Sequence, residues 1–216
     1  MTSRVPLYVW GAGGHGKVVA DAALLSRRFA VQGFLDDDPR HRGRRWEGLT
    51  VLGGLEALAA LEEAAIVALG VGSNRARAEL AERLLALGRD LATVVHPAAV
   101  VAKGVRLGEG TYVGPLAVVG VDAEVGRGCI LNTGAVVEHD CRLGDWVHVS
   151  PRAALGGGAS VGRGAHVGIG GAILPGLSLG PWATLGAGAV MVRSVPGSST
   201  AVGVPARVRE TVESGR

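Results

Sequence analysis

The sequence has few aromatic residues and few cysteines, and it contains no long apolar run. Phe, Trp and Tyr make up 4% of the 216 residues, and the two cysteines are Cys129 and Cys141. Two cysteines are too few for a disulfide framework, and their spacing is not that of a zinc site, so we interpret both as small buried hydrophobic residues. No stretch approaches the roughly 18 apolar residues that span a bilayer, so no membrane segment is predicted.

Strong charge of either sign is also missing. The formal net charge is +3 and is spread along the chain without a Lys/Arg block, so no nucleic-acid partner is expected. The N-terminal residues lack the apolar core of a signal peptide, which leads us to expect a cytoplasmic protein. Hydrophobic residues make up 48% of the sequence, which excludes an intrinsically disordered chain.

A six-residue period fills the second half of the chain. Stepping by six from Val95 to Met191 gives 17 positions, and all are aliphatic or methionine. The next position is glycine in 10 of the 17, which suits a tight turn after each short strand. Because one hexad buries its apolar side chain only against its neighbours, the pattern predicts a parallel β-helix. If three hexads make one coil, residues 18 apart lie above one another.

The first part of the chain has a different pattern. The apolar run Val5–Trp10 ends in G-x-G-x-x-G, from Gly11 to Gly16, and a helix-like stretch follows at 18–25. Glycines between a strand and a helix form a phosphate-binding turn. A second predicted strand, at 30–35, ends at Asp36, where a ribose-binding acid is expected.

The size of this region indicates one nucleotide rather than a dinucleotide. A third predicted strand at 64–69 and a helix at 75–87 follow, so only three or four strands fit before the repeats, whereas a full NAD domain has about six. We therefore predict a half-Rossmann-like α/β domain at 1–92, an all-β parallel β-helix of hexapeptide repeats at 93–209 and a polar tail at 210–216.

One turn of the repeat carries charge where glycine is usual. Glu138, His139 and Asp140 follow Val137, and residues 156–158, one coil later, are all glycine. An imidazole beside open backbone N–H groups supplies the general base and the oxyanion donors that acyl transfer needs. The adjacent carboxylate of Asp140 orients the ring and stabilises its charged form. The alternative is an ordinary surface histidine.

His148 and His166 are also 18 residues apart, so they are predicted to stack on one edge of the prism in adjacent coils. Surface histidines and a metal pair are both open interpretations. No third ligand stands at a matching register, so no metal is expected.

The order of these features resembles one family. G-x-G-G-H-G after a strand, then F-L-D-D, then hexapeptide coils carrying E-H-D and ending in V-G-V-P-A, is similar to the hexapeptide-repeat sugar acetyltransferases, both the UDP-4-amino-sugar N-acetyltransferase and the sialic acid O-acetyltransferase types. The resemblance spans roughly residues 5–209. It implies a left-handed β-helix, a homotrimer, acetyl-coenzyme A as co-substrate and no required metal.

The resemblance also implies roles for individual residues. His139 is the expected base, Asp140 the acid that raises its basicity, and the Gly157 amide the oxyanion donor. His148 is expected to contact the acetyl thioester, and the backbone of Ile169 and Ala187 to contact coenzyme A. The expected contacts to the nucleotide-linked sugar are Gly13, Gly14, His15, Asp36, Asp37, Gly72 and Asn74.

These features lead us to expect transfer of acetyl from acetyl-coenzyme A to an amino group of a nucleotide-linked sugar. A sugar hydroxyl acceptor, as in sialic acid O-acetylation, would use the same base and remains open. Two alternatives come from other classes: an NAD-dependent oxidoreductase built on the glycine loop, and a non-catalytic scaffold trimer.

Overall fold

The computed structural model describes residues 4–61 and 65–209; the predicted polar tail lies outside these residues. An α/β domain comes first. In chain order, its strands and helices are β1 (Val5–Trp10), α1 (Gly14–Ser26), β2 (Phe29–Leu35), β3 (Arg45–Trp46), β4 (Leu49–Thr50), α2 (Leu55–Ala59), β5 (Ile66–Leu69) and α3 (Asn74–Ala86). Its parallel sheet has the strand order β2-β1-β5, and a short 3-10 turn, Pro39–His41, follows β2.

Helix α1 begins at Gly14, earlier than the apolar stretch alone suggests, because the glycines form its first turn. The N–H groups of this first turn have no hydrogen-bond partner within the helix, as in any α-helix. Gly11 and Gly16 are required for close packing: a Cβ on Gly16 would collide with the carbonyl oxygen of Gly11. Antiparallel β3 and β4 form a small hairpin outside the three-stranded sheet.

The second part is a left-handed parallel β-helix of about six turns. Its short strands form three sheets, and partners in neighbouring coils are 18 residues apart, as Val118, Val136 and Ala154 show. The predicted fold and register are confirmed. The second residue of each strand points inward, and the core column includes Val113, Leu131 and Val149, all fully buried. Both cysteines are buried in this core, as predicted.

Three faces of the prism differ in their outward residues. The domain face, covered in part by the α/β domain, presents Val94, Tyr112, Ile130, His148, His166 and Thr184. Its strands are Val94–Val95, Tyr112–Val113, Ile130–Leu131, His148–Val149, His166–Val167, Thr184–Leu185, Thr200–Val202 and Arg207–Val208.

The second and third faces contrast sharply. The apolar face presents Val100, Val118, Val136, Ala154, Ala172 and Val190, on strands Val100–Val101, Val118–Val119, Val136–Val137, Ala154–Leu155, Ala172–Ile173 and Val190–Met191. The polar face presents Arg106, Glu124, Arg142, Ser160 and Ser178, on strands Arg106–Leu107, Glu124–Val125, Arg142–Leu143, Ser160–Val161 and Ser178–Leu179. Among the residues described, only the polar face has an ion pair between two of its own strands, Arg106 with Glu124.

The α/β domain packs on the lower part of the domain face. Buried residues of β1 and α1, such as Leu7 and Val19, share one core cluster with Val94, Tyr112 and Ile130. Higher up the same face, the cover ends and His148 and His166 are only partly buried. The docking therefore leaves a cleft at the carboxyl end of β5, the end of the sheet where ligands of open α/β sheets bind.

Candidate active site

His139 lies on the edge between the apolar and polar faces, which we call the His139 edge (residues 138–141 and the turns above and below it). Its Nδ1 is 2.7 Å from Asp140 Oδ2, and both side chains are about two-thirds exposed. The hydrogen bond to Asp140 raises the pKa of His139 above its ordinary value. Because Nδ1 is occupied, Nε2 is the nitrogen available to accept a proton from a substrate.

The glycine triplet lies one coil above this histidine, as the register predicts. The Gly158 amide donates to the His139 carbonyl at 2.9 Å. A Cβ on Gly157 would stand 2.5 Å from His139 Nε2, so only glycine leaves room for the ring. The Gly157 N–H has no hydrogen-bond partner among the residues described. A proton acceptor and an open backbone donor therefore stand side by side.

The glycine loop of the α/β domain is open where a ligand would approach. A Cβ on Gly13 or Gly14 would meet nothing within 4 Å, and both residues stand at the N-terminus of α1. Helix N-termini with free N–H groups attract anions such as phosphate. The same openness holds at Gly72, in the loop after β5.

Asp36 and Asp37 follow β2, but their carboxylates already have partners. Asp36 Oδ2 accepts from the Ala12 amide at 2.8 Å and lies 2.9 Å from His41 Nδ1. Burial opposes ionisation of Asp36, but the hydrogen bonds from Ala12 and His41 outweigh it and lower its pKa. Asp37 is half exposed and pairs with Arg83 at 3.2 Å. Asp36 therefore holds the glycine loop in place through its hydrogen bond with the Ala12 amide. Asp37 is the more accessible of the two carboxylates.

His15 turns inward toward the prism. Its ring meets Tyr112 edge-on, with 5.4 Å between ring centroids. Burial, followed by the charge of Arg77, lowers the pKa of His15 to about 4. Its Nε2 and the Tyr112 hydroxyl are buried without a hydrogen-bond partner among the residues described. The ring belongs to the contact between the two domains.

Asn74 opens α3 and joins the two domains through its side chain. Nδ2 donates to the carbonyls of Gly164 and Ala165 at 3.0 and 3.2 Å, and Oδ1 accepts from Arg77 at 2.9 Å. The donors and the acceptor of the amide are thus engaged within the protein.

His148 and His166 stack as predicted, with ring centroids 4.8 Å apart and planes 15° from parallel. They lie on a face rather than an edge. Burial, followed by the neighbouring ring of His166, lowers the pKa of His148 to about 3, and burial also lowers that of His166. Both rings are therefore neutral at physiological pH.

Polar neighbours fix the orientation of these rings. Asn132 Oδ1 accepts from the Thr133 amide at 2.8 Å, which turns Nδ2 toward His148 Nε2 at 3.3 Å. His148 Nε2 is then an acceptor, and the proton of the neutral ring is on Nδ1. Ser150 Oγ lies 2.7 Å from His166 Nε2. His148 is thus arranged as a hydrogen-bond donor and not as a base.

These histidines line a cleft of about 350 Å³ between the two domains. The lining residues are Gly72, Ser73, Asn74, Arg75, His148, Gly164, His166, Trp182 and Thr184. Arg75 lies over the Trp182 ring at 4.5 Å, so these two lining residues pack against each other. The cleft therefore combines open backbone from the α/β domain with neutral rings from the prism.

Ile169 and Ala187 lie on the edge between the domain face and the apolar face, which we call the Ile169 edge (residues 168–171 and 186–189). Both are exposed, and the Gly188 amide donates to the Ile169 carbonyl at 2.8 Å. The Ile169 edge borders the domain face, which carries His148 and His166, whereas the cleft extends to the other edge of that face, where Gly164 and Trp182 lie. The His139 edge does not border the domain face, because in a three-sided prism it is opposite that face. Within one chain the structure brings the cleft residues together but leaves His139 apart from them.

Sequence reasoning missed Arg77, Tyr112, Asn132 and Ser150. Asn132 and Ser150 occupy the position where the repeat has glycine, the same departure that marked Glu138, so this signal was available. Arg77 shares a helix stripe with the buried residues Ala81 and Leu84, and a charge in an apolar stripe is the other available signal. Nothing in the sequence marks Tyr112, whose partner His15 is far away in the chain.

No group of three or more His, Cys, Asp or Glu is arranged to hold a metal ion in the described part of the chain. Within the same residues, no helix has the length and apolar character needed to cross a membrane.

A left-handed hexapeptide β-helix with a histidine-carboxylate pair at one edge, joined to a small α/β domain, is the architecture of an acyltransferase. Residues 6–84 match the model of the PglD N-terminal domain family. The acetyltransferase domain of PglB from Neisseria gonorrhoeae is 36% identical, with a TM-score of 0.89 over 95% of this chain and 100% of that one. The chain belongs to the hexapeptide-repeat sugar acetyltransferase family.

Two further relatives are described together with a nucleotide-linked sugar. PerB from Caulobacter crescentus, solved in complex with CoA and GDP-perosamine, is 39% identical with a TM-score of 0.89, over 95% of this chain and 97% of that one. The UDP-N-acetylbacillosamine N-acetyltransferase of Bacillus subtilis is 40% identical over 109 residues. That last match covers 48% of this chain and 48% of the relative, so it spans about half of each.

Proposed function

We propose that this protein transfers the acetyl group of acetyl-coenzyme A to the amino group of a nucleotide-linked sugar. The observation that carries the proposal is the His139–Asp140 pair beside the open Gly157 amide. The relatives named above are sugar N-acetyltransferases, which favours an amine over a hydroxyl acceptor. They also favour acyl transfer over the oxidoreductase and scaffold alternatives.

The chemistry follows from the two nitrogens of His139. The sugar amine attacks the thioester carbonyl carbon, a C–N bond forms, and Nε2 takes the proton that the amine loses. The carbonyl oxygen becomes an oxyanion, which the Gly157 N–H stabilises. Collapse breaks the C–S bond and, with return of the proton, releases coenzyme A as its thiol. Asp140 holds Nδ1 and stabilises the imidazolium between these steps.

We assign the cleft and the Ile169 edge to the two substrates. Gly13, Gly14, His15 and Gly72 would contact the nucleotide-linked sugar through backbone groups, and Asp37 through its carboxylate. Asp36 and Asn74 would act indirectly, because their polar atoms already have partners. His148, as a neutral donor, would face the acetyl carbonyl, while coenzyme A would follow the backbone of Ile169 and Ala187.

A homotrimer would bring the His139 edge of one subunit next to the Ile169 edge of another. The apolar face is flanked by the His139 edge on one side and the Ile169 edge on the other. Its outward side chains are valine and alanine, with Val100 at 61% exposure, a surface that suits contact with another copy. Packing three apolar faces around an axis places the His139 edge of one subunit beside the Ile169 edge of the next. We place this trimer in the cytoplasm, where acetyl-coenzyme A and nucleotide-linked sugars are made.

The test is thiol release from acetyl-coenzyme A with UDP-, GDP- and dTDP-linked amino sugars, together with CMP-sialic acid and free sialic acid. We expect turnover with an amino sugar and formation of an amide, detected by mass spectrometry. Turnover with sialic acid alone would replace the proposal by O-acetylation. Absence of turnover with every acceptor, under conditions in which coenzyme A binds, would contradict it.

A further inference from the structure

Arg77, on α3, is a fully buried arginine at the junction of the two domains. Its guanidinium makes five hydrogen bonds, which equals its number of N–H donors. Nε donates to Gly128 O at 2.7 Å, one terminal nitrogen to Val71 O and Gly72 O at 3.1 Å each, and the other to Asn74 Oδ1 at 2.9 Å and Trp146 O at 3.0 Å. Lysine has only three donors and no fixed fork, so it does not reproduce this set.

No carboxylate pairs with Arg77 among the ion pairs of the residues described. Burial therefore works against its charge and lowers its pKa to about 10, while still leaving it cationic. Burying a charge without a counter-ion is costly, and an apolar side chain would fill the same space without that cost. Arginine at this position therefore needs a reason beyond packing.

The five acceptors show what Arg77 holds in place. Gly128 and Trp146 belong to two successive coils of the prism, whereas Val71 and Gly72 belong to the loop after β5. Asn74 extends the contact to a third coil through Gly164 and Ala165. Arg77 thus fixes the height of the Gly72 loop along the column of His148 and His166, on the opposite wall of the same cleft.

We propose that Arg77 is a positioning residue for the acceptor substrate: it sets the Gly72 loop against the histidine pair, so that the two walls of the cleft bind one nucleotide-linked sugar. This inference rests on the proposed function. Its charge adds a second contribution, because it is among the causes that lower the pKa of His15, His148 and His166 and so keeps these rings neutral. Coenzyme A itself, assigned to the backbone of the Ile169 edge, has no contact with the Gly72 loop in this assignment, and only its acetyl carbonyl meets the cleft, at His148.

The test compares Arg77→Lys and Arg77→Met with a matched control, Glu82→Gln. Glu82 is on the same helix and reaches the prism through Arg163 at 3.7 Å, but this ion pair is exposed. The readouts are KM for the acceptor, KM for acetyl-coenzyme A, and calorimetric binding of UDP, GDP and coenzyme A. Far-UV circular dichroism and molecular mass identify the variants that fold and assemble as the wild type does.

We expect both Arg77 variants to raise the acceptor KM at least 10-fold, with the KM for acetyl-coenzyme A within 2-fold of wild type and Glu82→Gln unchanged. Equal loss of affinity for both substrates in folded Arg77→Lys would mean a purely structural role and would overturn the proposal. So would wild-type acceptor KM in Arg77→Met. If the wild type acetylates no amino sugar, the proposed function fails first, and binding of UDP and GDP then tests the position of the loop without turnover.

Discussion

The two groups of histidines on the prism occupy opposite environments. His139 projects from an edge into solvent beside a carboxylate, and this partner raises its pKa. His148 and His166 lie on the domain face, in the cleft beside the α/β domain, and burial lowers the pKa of both. The same side chain is therefore prepared as a proton acceptor at one site and as a neutral hydrogen-bond partner at the other.

This contrast shows how equivalent positions of a regular repeat acquire different chemical roles. Every coil offers the same backbone positions, so the role of a histidine depends on what covers it. Solvent and Asp140 surround one site, whereas the α/β domain and Arg77 surround the other. The two sites are complementary. The His139 edge has a general base but no enclosing pocket, and the cleft has an enclosing pocket but no general base.

Removing the base is expected to have the largest effect. His139→Ala should lower kcat by about 1000-fold, within the usual contribution of a general base, while coenzyme A still binds. Steady-state kinetics with thiol detection measures it, and Val121→Ala, one coil below on the same edge, is the control. Turnover near the wild-type value in His139→Ala would remove His139 from the mechanism.

Preventing the trimer, and so separating the His139 edge of one subunit from the neighbouring subunit, should have the next largest effect. Val136→Arg places a charge at the centre of the apolar face, where a trimer would bury it unpaired, so we expect a monomer and roughly 100-fold lower activity. Light scattering after gel filtration reports the mass. Ser160→Arg on the polar face is the matched control. A fully active monomer would show that one chain contains the whole site.

Crowding the edge tests the neighbouring glycine. Gly157→Ala adds a Cβ 2.5 Å from His139 Nε2, so the ring must move, and we expect a 10- to 100-fold loss of kcat, since small misplacements of catalytic groups cost about that much. In a His139→Ala background the same substitution should have no further effect. Independent, multiplicative losses in the double variant would instead assign Gly157 a role separate from the ring.

The β-helix was predictable because its information is local and repeated. An aliphatic residue every six positions fixes the coil, and the coil alone aligned His139 with Gly157 and His148 with His166. The glycine loop likewise predicted a helix after β1, although α1 begins at Gly14, within the loop, and not at Val18 as expected. These features need no knowledge of which distant segments meet.

The domain junction was not predictable for the opposite reason. Arg77 meets Gly128, and His15 meets Tyr112, across long stretches of chain that no sequence period connects. Asn74 was expected to contact the substrate, but its amide is used to hold the prism. Polar residues near a site divide between binding and positioning, and only their hydrogen-bond partners distinguish the two.

Removing the carboxylate should have the smallest effect and the most specific signature. As a base, His139 works only when deprotonated, so activity falls as the pH drops below its raised pKa. Asp140→Asn removes the cause of that rise, so the acid limb of the kcat/KM profile should move to lower pH, with about 10-fold lower activity at the optimum. Asp122→Asn is the matched control, because Asp122 stands one coil below with the same left-handed backbone. An acid limb that stays in place would mean that another group titrates, and His148, whose pKa is about 3, is too acidic to supply one near neutrality.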